Sequence, residues 1–250
     1  MAKDTRDKIA IIGAGHMGSA LQKGFLSSGI SRARIIVSDS ARNNVHVAKK
    51  ADIIFLTVKP AIVKSVLAQI QTVSEGKLIV SAVAGVRVRA MQRIADHTSV
   101  ARIMPNIPVA HQEGVVGLYA PGLSSRNRKK LSNLLKRLGL LVEVKNENAL
   151  DALTLLAGCG PGIVAALVSA YTKQAQRFGI KGGEKLSRQV FTGALQHLTH
   201  SKITSQELAE AVATKGGVTE AILQELARGG LEKILTRAFA KGRAKIQAIR

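Results

Sequence analysis

The chain has 250 residues, 46% of them apolar, enough for one large or two modest domains with a full core. A single cysteine, Cys159, excludes an internal disulfide, and six scattered histidines without ligand spacing give no metal centre. A net charge of +21 is spread over both halves, while aromatic residues at 3% leave the stacking side chains of a single-strand nucleic-acid binder nearly missing. The charge therefore reads as a solvated basic surface, with steering of anionic ligands or weak nucleic-acid binding as the functional alternatives. No apolar targeting core follows the polar start Met1–Lys8, so the expected location is cytoplasmic.

Lys8–Ile12 is a short apolar strand, followed by Gly13-Ala14-Gly15-His16-Met17-Gly18 and a helical pattern over Ser19–Phe25. A glycine loop between strand and helix is the context of the dinucleotide fingerprint. Gly13 permits the tight turn, Gly15 lets backbone approach a pyrophosphate, and Gly18 lets helix and strand pack closely. The phosphates would rest on the helix N-terminus, where N–H groups and the dipole favour anions. The second strand, Ala33–Val37, closes with Ser38-Asp39, placing an acid 21 positions after Gly18.

Ala51–Val58 reads as a buried strand ending in Lys59-Pro60, followed by a helix over 61–73. A strand over 77–83 ends in Ala84-Gly85; a helix over 86–95 leads to a strand over 99–104. Strands at 115–119 and 140–144 flank a basic helix near 124–139 and complete the unit. The strands are continuous apolar runs, the pattern of parallel strands covered on both faces. The expectation is a Rossmann-type doubly wound parallel sheet over residues 1–146.

Beyond Asn146 the period is 3.6, giving an all-helical domain over 147–250. Helices are expected at 147–157, 161–178, 183–200, 205–213, 217–227 and 230–249. Ala152–Tyr171 carries no charge for 20 residues, the length of a membrane span. Gly158, Gly160, Pro161 and Gly162 interrupt it, so the expectation is a break between two buried helices and no membrane. An all-apolar helix such as 163–171 is covered on every side, which in a small helical domain calls for a partner subunit.

Five blocks in order are similar to the pyrroline-5-carboxylate reductase family. They are Gly13–Gly18; Ala51-Asp52 with Val58-Lys59-Pro60; Ala84-Gly85; Arg102–Pro108 with Glu113-Gly114; and Gly158–Pro161 with Ala213–Thr219. The resemblance implies an N-terminal dinucleotide domain and a C-terminal helical domain that interlocks as a homodimer, often assembled further. It implies NADPH- or NADH-dependent reduction of a cyclic imine carboxylate to proline. For the cofactor it carries over Ala14 through Met17, Ser38, Asn44, Thr57-Val58-Lys59-Pro60 and Ala84. For the substrate it carries over Thr214, where relatives usually have a serine touching the carboxylate, and Thr219, thought to act at the ring nitrogen.

Those residue types also suit the chemistry by themselves. Lys215-Gly216-Gly217-Val218 opening a helix offers backbone N–H groups to a carboxylate, and Thr219 can hydrogen-bond the nitrogen as hydride arrives. An imine is readily protonated, so positioning and electrostatics suffice and no nucleophile is needed. The plainer alternative makes Thr214 and Thr219 helix caps beside a glycine turn. Asp39 would accept from a ribose 2′-hydroxyl, favouring NADH, whereas Arg42 could grip a 2′-phosphate, favouring NADPH. Lys59 reads either as a cofactor contact or as a solvated strand-end lysine, and His16 as a spacer in the loop.

The sequence also departs from the family. Only twelve residues, Ser40–Ala51, separate Asp39 from Asp52, where relatives place a helix and a further strand. Loss of that unit leaves strands in the six-strand order 2-1-4-5-6 and removes one wall of the adenosine pocket. Ala157 and Cys159 replace serines, Gly162-Ile163 replaces an Ala-Tyr pair, and Ser169 stands for a glutamate; Cys159 is expected to be a buried, inert thiol. Two readings follow: a working reductase, or a weakened paralogue with a regulatory or nucleic-acid-associated role. Other Rossmann oxidoreductases with helical C-terminal domains would carry a lysine or aspartate in the central helix, and none lies between Asp151 and Lys173.

Overall fold

The computed structural model describes residues 7–97 and 99–248. Seven strands form one sheet in the order β2-β1-β3-β4-β5-β6-β7. They are β1 (Ile9–Ile12), β2 (Ile35–Ser38), β3 (Ile53–Leu56), β4 (Leu78–Ser81), β5 (Val100–Pro105), β6 (Gly114–Tyr119) and β7 (Gly139–Glu143). Helices α1 (His16–Ser27), α2 (Asn44–Lys50), α3 (Val63–Ser74), α4 (Val88–Ala95) and α5 (Ser125–Leu135) join them. Side chains alternate along β1: Ile9 and Ile11 enter one core with Phe25 and Leu135, while Ala10 and Ile12 enter the other with Val47, Leu67 and Met91. The sheet is thus covered on both faces, as its continuous apolar strands require.

One pairing departs from the all-parallel expectation: β6 runs antiparallel to β5, with Met104 opposite Gly117. The connection explains it. Only Asn106–Glu113 lies between them, including a 3-10 turn over Ile107–His111, which is too short for a parallel crossover. β7 then returns parallel to β6 because α5 supplies a full crossover.

The short link after Asp39 behaves as its length dictates. β2 is the sheet edge beside β1, and β3 lies on the other side of β1. The seven-residue α2 spans that step, burying Val47 and Ala48 against the second core. Lys77 closes its last turn, its Nζ donating to the carbonyls of Ala48 at 2.7 Å and Lys49 at 2.8 Å. Burial pushes the Lys77 ammonium below its ordinary value, with Asp52 acting in the opposite sense.

Beyond the sheet come α6 (Glu147–Leu153), α7 (Gly160–Arg177), α8 (Gly183–Ser201), α9 (Ser205–Val212), α10 (Val218–Arg228) and α11 (Leu231–Ala248). Position 249, the end of the last expected helix, lies outside the described residues. By contacts the chain divides into two units, one running to Pro161 and including Arg243 onward, the other Gly162–Gly242. By contacts α6 groups with the sheet. Arg102, 2% exposed in β5, lies 3.4 Å from Glu147 and 3.6 Å from Asp151 of α6. Glu147 also accepts from the N–H of Val88 at 2.7 Å, capping α4.

Ahead of the expected break the helix widens into a π-turn, Thr154–Gly158, and Cys159 lies outside the helices before α7 begins at Gly160. Pro161 has no N–H to give the Ala157 carbonyl four residues back. The Asn106 side chain takes that place, its Nδ2 donating to the Ala157 oxygen at 3.1 Å while its Oδ1 accepts from the Val115 N–H at 2.8 Å. Cys159 is exposed, contrary to expectation. Glu147–Arg177 is long and apolar enough to cross a membrane by length and composition.

Within the second unit, α7 and α8 pair through Thr172 and Ser187, their hydroxyls 3.1 Å apart, and through the edge-on rings of Tyr171 and Phe191. Among its described residues few side chains are buried, Ala175 and Ser187 among them, and Leu167, Leu195, Ile222 and Leu226 are exposed. The covering expected for the apolar helix is therefore not supplied within the protomer.

Glu147→Gln tests the buried ionic contact. Neutralising one partner leaves Arg102 short of countercharge, so stability should fall by about 3 kcal/mol. Thermal unfolding should drop by roughly 6–12 °C.

Candidate functional site

The carboxyl ends of β1, β2, β3 and β4 bring together most of the residues expected to hold a dinucleotide, as open α/β sheets do. Gly13 adopts φ +109°, and a Cβ there would lie 2.8 Å from the Thr57 carbonyl oxygen. A Cβ on Gly18 would overlap the Gly13 carbonyl oxygen. The Thr57 hydroxyl is 2.7 Å from the Gly13 carbonyl oxygen, to which it donates, and the Thr57 N–H donates to Ile12 at 2.9 Å. Thr57 therefore braces the loop.

Gly15 differs from both. Nothing lies within 4 Å of a Cβ built on it, so the loop there faces open space. It is the N-cap of α1, where no side chain caps the helix and no acid occupies the first turn. The N–H groups of His16, Met17 and Gly18 are the unpaired donors of that turn, a seat for a phosphate. Ala14 and His16 are exposed beside it, Met17 packs on the core, and Val58, Lys59, Pro60 and Ala84 follow the ends of β3 and β4. The loop fits a dinucleotide pyrophosphate.

Around the shortened link, Asp39 and Arg42 are exposed. Asn44 is buried and engaged at both ends of its amide. It accepts from the Ser38 hydroxyl at 2.8 Å and donates to Gln69 at 3.1 Å, so it ties β2 to α3. Here its side chain supports the link from below.

The residues expected at the substrate lie in the second unit, in the turn that opens α10. Gly216 has φ +73°, and the Gly217 N–H donates to the Thr214 carbonyl at 2.8 Å. A Cβ on Gly217 would strike the Thr214 side chain, so both glycines are required. Gly217, which has no side chain, is the N-cap of α10. Thr214 lies in this turn and Thr219 in the first turn of α10. Lys215 and Val218 are exposed.

The sequence reading missed three contacts. Asn106 clamps the π-turn, Arg102 anchors α6, and Glu220 accepts from the Gly216 N–H at 2.6 Å. Only the last left a local signal, an acid at the third position of a helix, placed to reach back to the turn before it.

Fold and glycine loop together define the class: a dinucleotide-binding α/β unit of oxidoreductase type with a helical region after it. A family model described as pyrroline-5-carboxylate reductase dimerisation matches residues 147–249, and one described as NADP oxidoreductase, coenzyme F420-dependent, matches 38–85. Pyrroline-5-carboxylate reductase of Haemophilus influenzae is 31% identical, covering 86% of this chain and 87% of its own. Pyrroline-5-carboxylate reductase 2 of Pongo abelii is 30% identical over 92% of this chain and 80% of its own. Among solved structures, a Plasmodium falciparum pyrroline carboxylate reductase with NADP bound shares the fold at TM-score 0.88, with 24% identity and 98% of both chains covered. The chain belongs to the pyrroline-5-carboxylate reductase family.

Two glycine substitutions should separate the roles in the loop. Gly18→Ala, which collides with backbone, should abolish nucleotide binding and lower the melting temperature. Gly15→Ala meets no protein atom, so the melting temperature should hold while nucleotide affinity falls at least about tenfold, read by nucleotide fluorescence titration.

Proposed function

We propose that this chain reduces 1-pyrroline-5-carboxylate to L-proline with NADPH or NADH. Kinship over most of the chain to reductases of that name is what carries the reading. It favours a working enzyme over a non-catalytic scaffold. When bound, a reduced nicotinamide would supply a hydride to the carbon of the protonated imine, leaving the ring nitrogen as a secondary amine. Thr214 and the Lys215-Gly216-Gly217-Val218 turn would take the substrate carboxylate, with the Gly217 N–H staying on the Thr214 carbonyl, and the Thr219 hydroxyl would hydrogen-bond the nitrogen.

Gly13 through Gly18 would seat the pyrophosphate, with Ser38, Asp39 and Asn44 on the adenosine side. Thr57 through Pro60 and Ala84 would lie along the rest of the nucleotide. Asp39 favours a free ribose 2′-hydroxyl and Arg42 a 2′-phosphate, so both nucleotides belong to the reading. The helical region would be completed by a second copy of the chain, which would cover its exposed apolar residues. Such an enzyme, acting on small soluble substrates, would work in the cytoplasm.

Loss of nucleotide absorbance on adding pyrroline-5-carboxylate tests the activity directly. Turnover with either nucleotide is expected, and a folded protein without it would overturn the proposal. Thr219→Val should lower kcat about ten- to a hundredfold while nucleotide affinity stays within about twofold; an unchanged kcat would remove Thr219 from the reaction.

A further inference from the structure

We propose that Glu220 is an internal competitor for the substrate's carboxylate, holding the Gly216 N–H until substrate displaces it. The inference rests on the reductase reading of the Thr214–Thr219 turn. Gly216 sits at φ +73°, which turns its N–H toward α10, and Glu220 Oε2 accepts from it at 2.6 Å. Glu220 is the third residue of α10, where side chains lean back toward the N-terminus and an anion is favoured by the dipole. A carboxylate on a backbone N–H is a charge-assisted hydrogen bond, stronger than a neutral one.

A backbone N–H carries one hydrogen, and two carboxylates drawn to it repel each other. The substrate's carboxylate therefore binds only as Glu220 leaves. Lys215, the adjacent cation, is exposed, so it offers the turn no buried charge to hold both anions. The free energy of the internal contact is subtracted from substrate binding, whereas the reaction at the imine is not touched. Glu220 thus sets KM rather than kcat. When substrate is absent, the same contact keeps the Gly-Gly turn folded.

The test uses the full chain and its Glu220→Gln and Glu220→Ala variants, in steady-state kinetics with pyrroline-5-carboxylate and in product inhibition by proline. Both variants should lower KM and the proline inhibition constant roughly three- to tenfold, with kcat within about twofold. Glu220→Gln retains the side chain's length, so it guards against loss of helix α10 in the alanine variant. Hydrogen exchange at the Gly216 amide gives a readout independent of turnover: protection should fall in both variants and return on adding proline. An unchanged or raised KM, or a kcat loss beyond tenfold, overturns the proposal, because Glu220 would then be inert or part of the binding machinery. Wild-type protein without turnover defeats the reductase reading instead, and the Gly216 exchange still reports whether Glu220 holds the amide.

Discussion

Three backbone segments meet with no room for a side chain where Gly13, Gly18 and Thr57 touch. That approach fixes the start of α1 against the ends of β1 and β3, and the Thr57 hydroxyl holds the loop from the neighbouring strand. Everything that makes the first unit a nucleotide binder follows from it. The first-turn N–H groups of α1 face outward because the loop below them is closed, and Gly15 leaves the space above them open.

The shortened link shows how much of a doubly wound sheet is dispensable. Strand β2 becomes the edge, and α2 crosses over β1 with seven residues, sealed by Lys77 at its last carbonyls. Beside this link Asp39 and Arg42 stand exposed, and Asn44 is occupied with Ser38 and Gln69. The core is untouched because each strand face is still covered by α1 and α5 on one side and α2, α3 and α4 on the other.

The helical region follows a different logic. Its helices are apolar beyond what the protomer buries, with Leu195 and Ile222 exposed at 58% and 56%. A Pro161 that cannot donate would orphan the Ala157 carbonyl, and Asn106 from the end of β5 supplies the missing donor. Two motifs far apart in sequence, Arg102–Pro108 and Gly158–Pro161, thereby turn out to serve one contact. Their pairing was invisible along the chain because it depends on a long-range approach that periodicity does not encode.

The sequence by itself determined the glycine loop, the strand order, the edge position of β2 and the turn opening α10, because these rest on local constraints: glycine conformations, continuous apolar runs and the length of a crossover. Tertiary structure alone decided the π-turn ahead of Pro161, the Asn106 clamp on it, the exposure of Cys159 and the burial of Arg102 beside α6. Each depends on which groups are brought together only after folding: a prolyl nitrogen with no proton, a carbonyl seeking a donor, an arginine between two carboxylates of a distant helix.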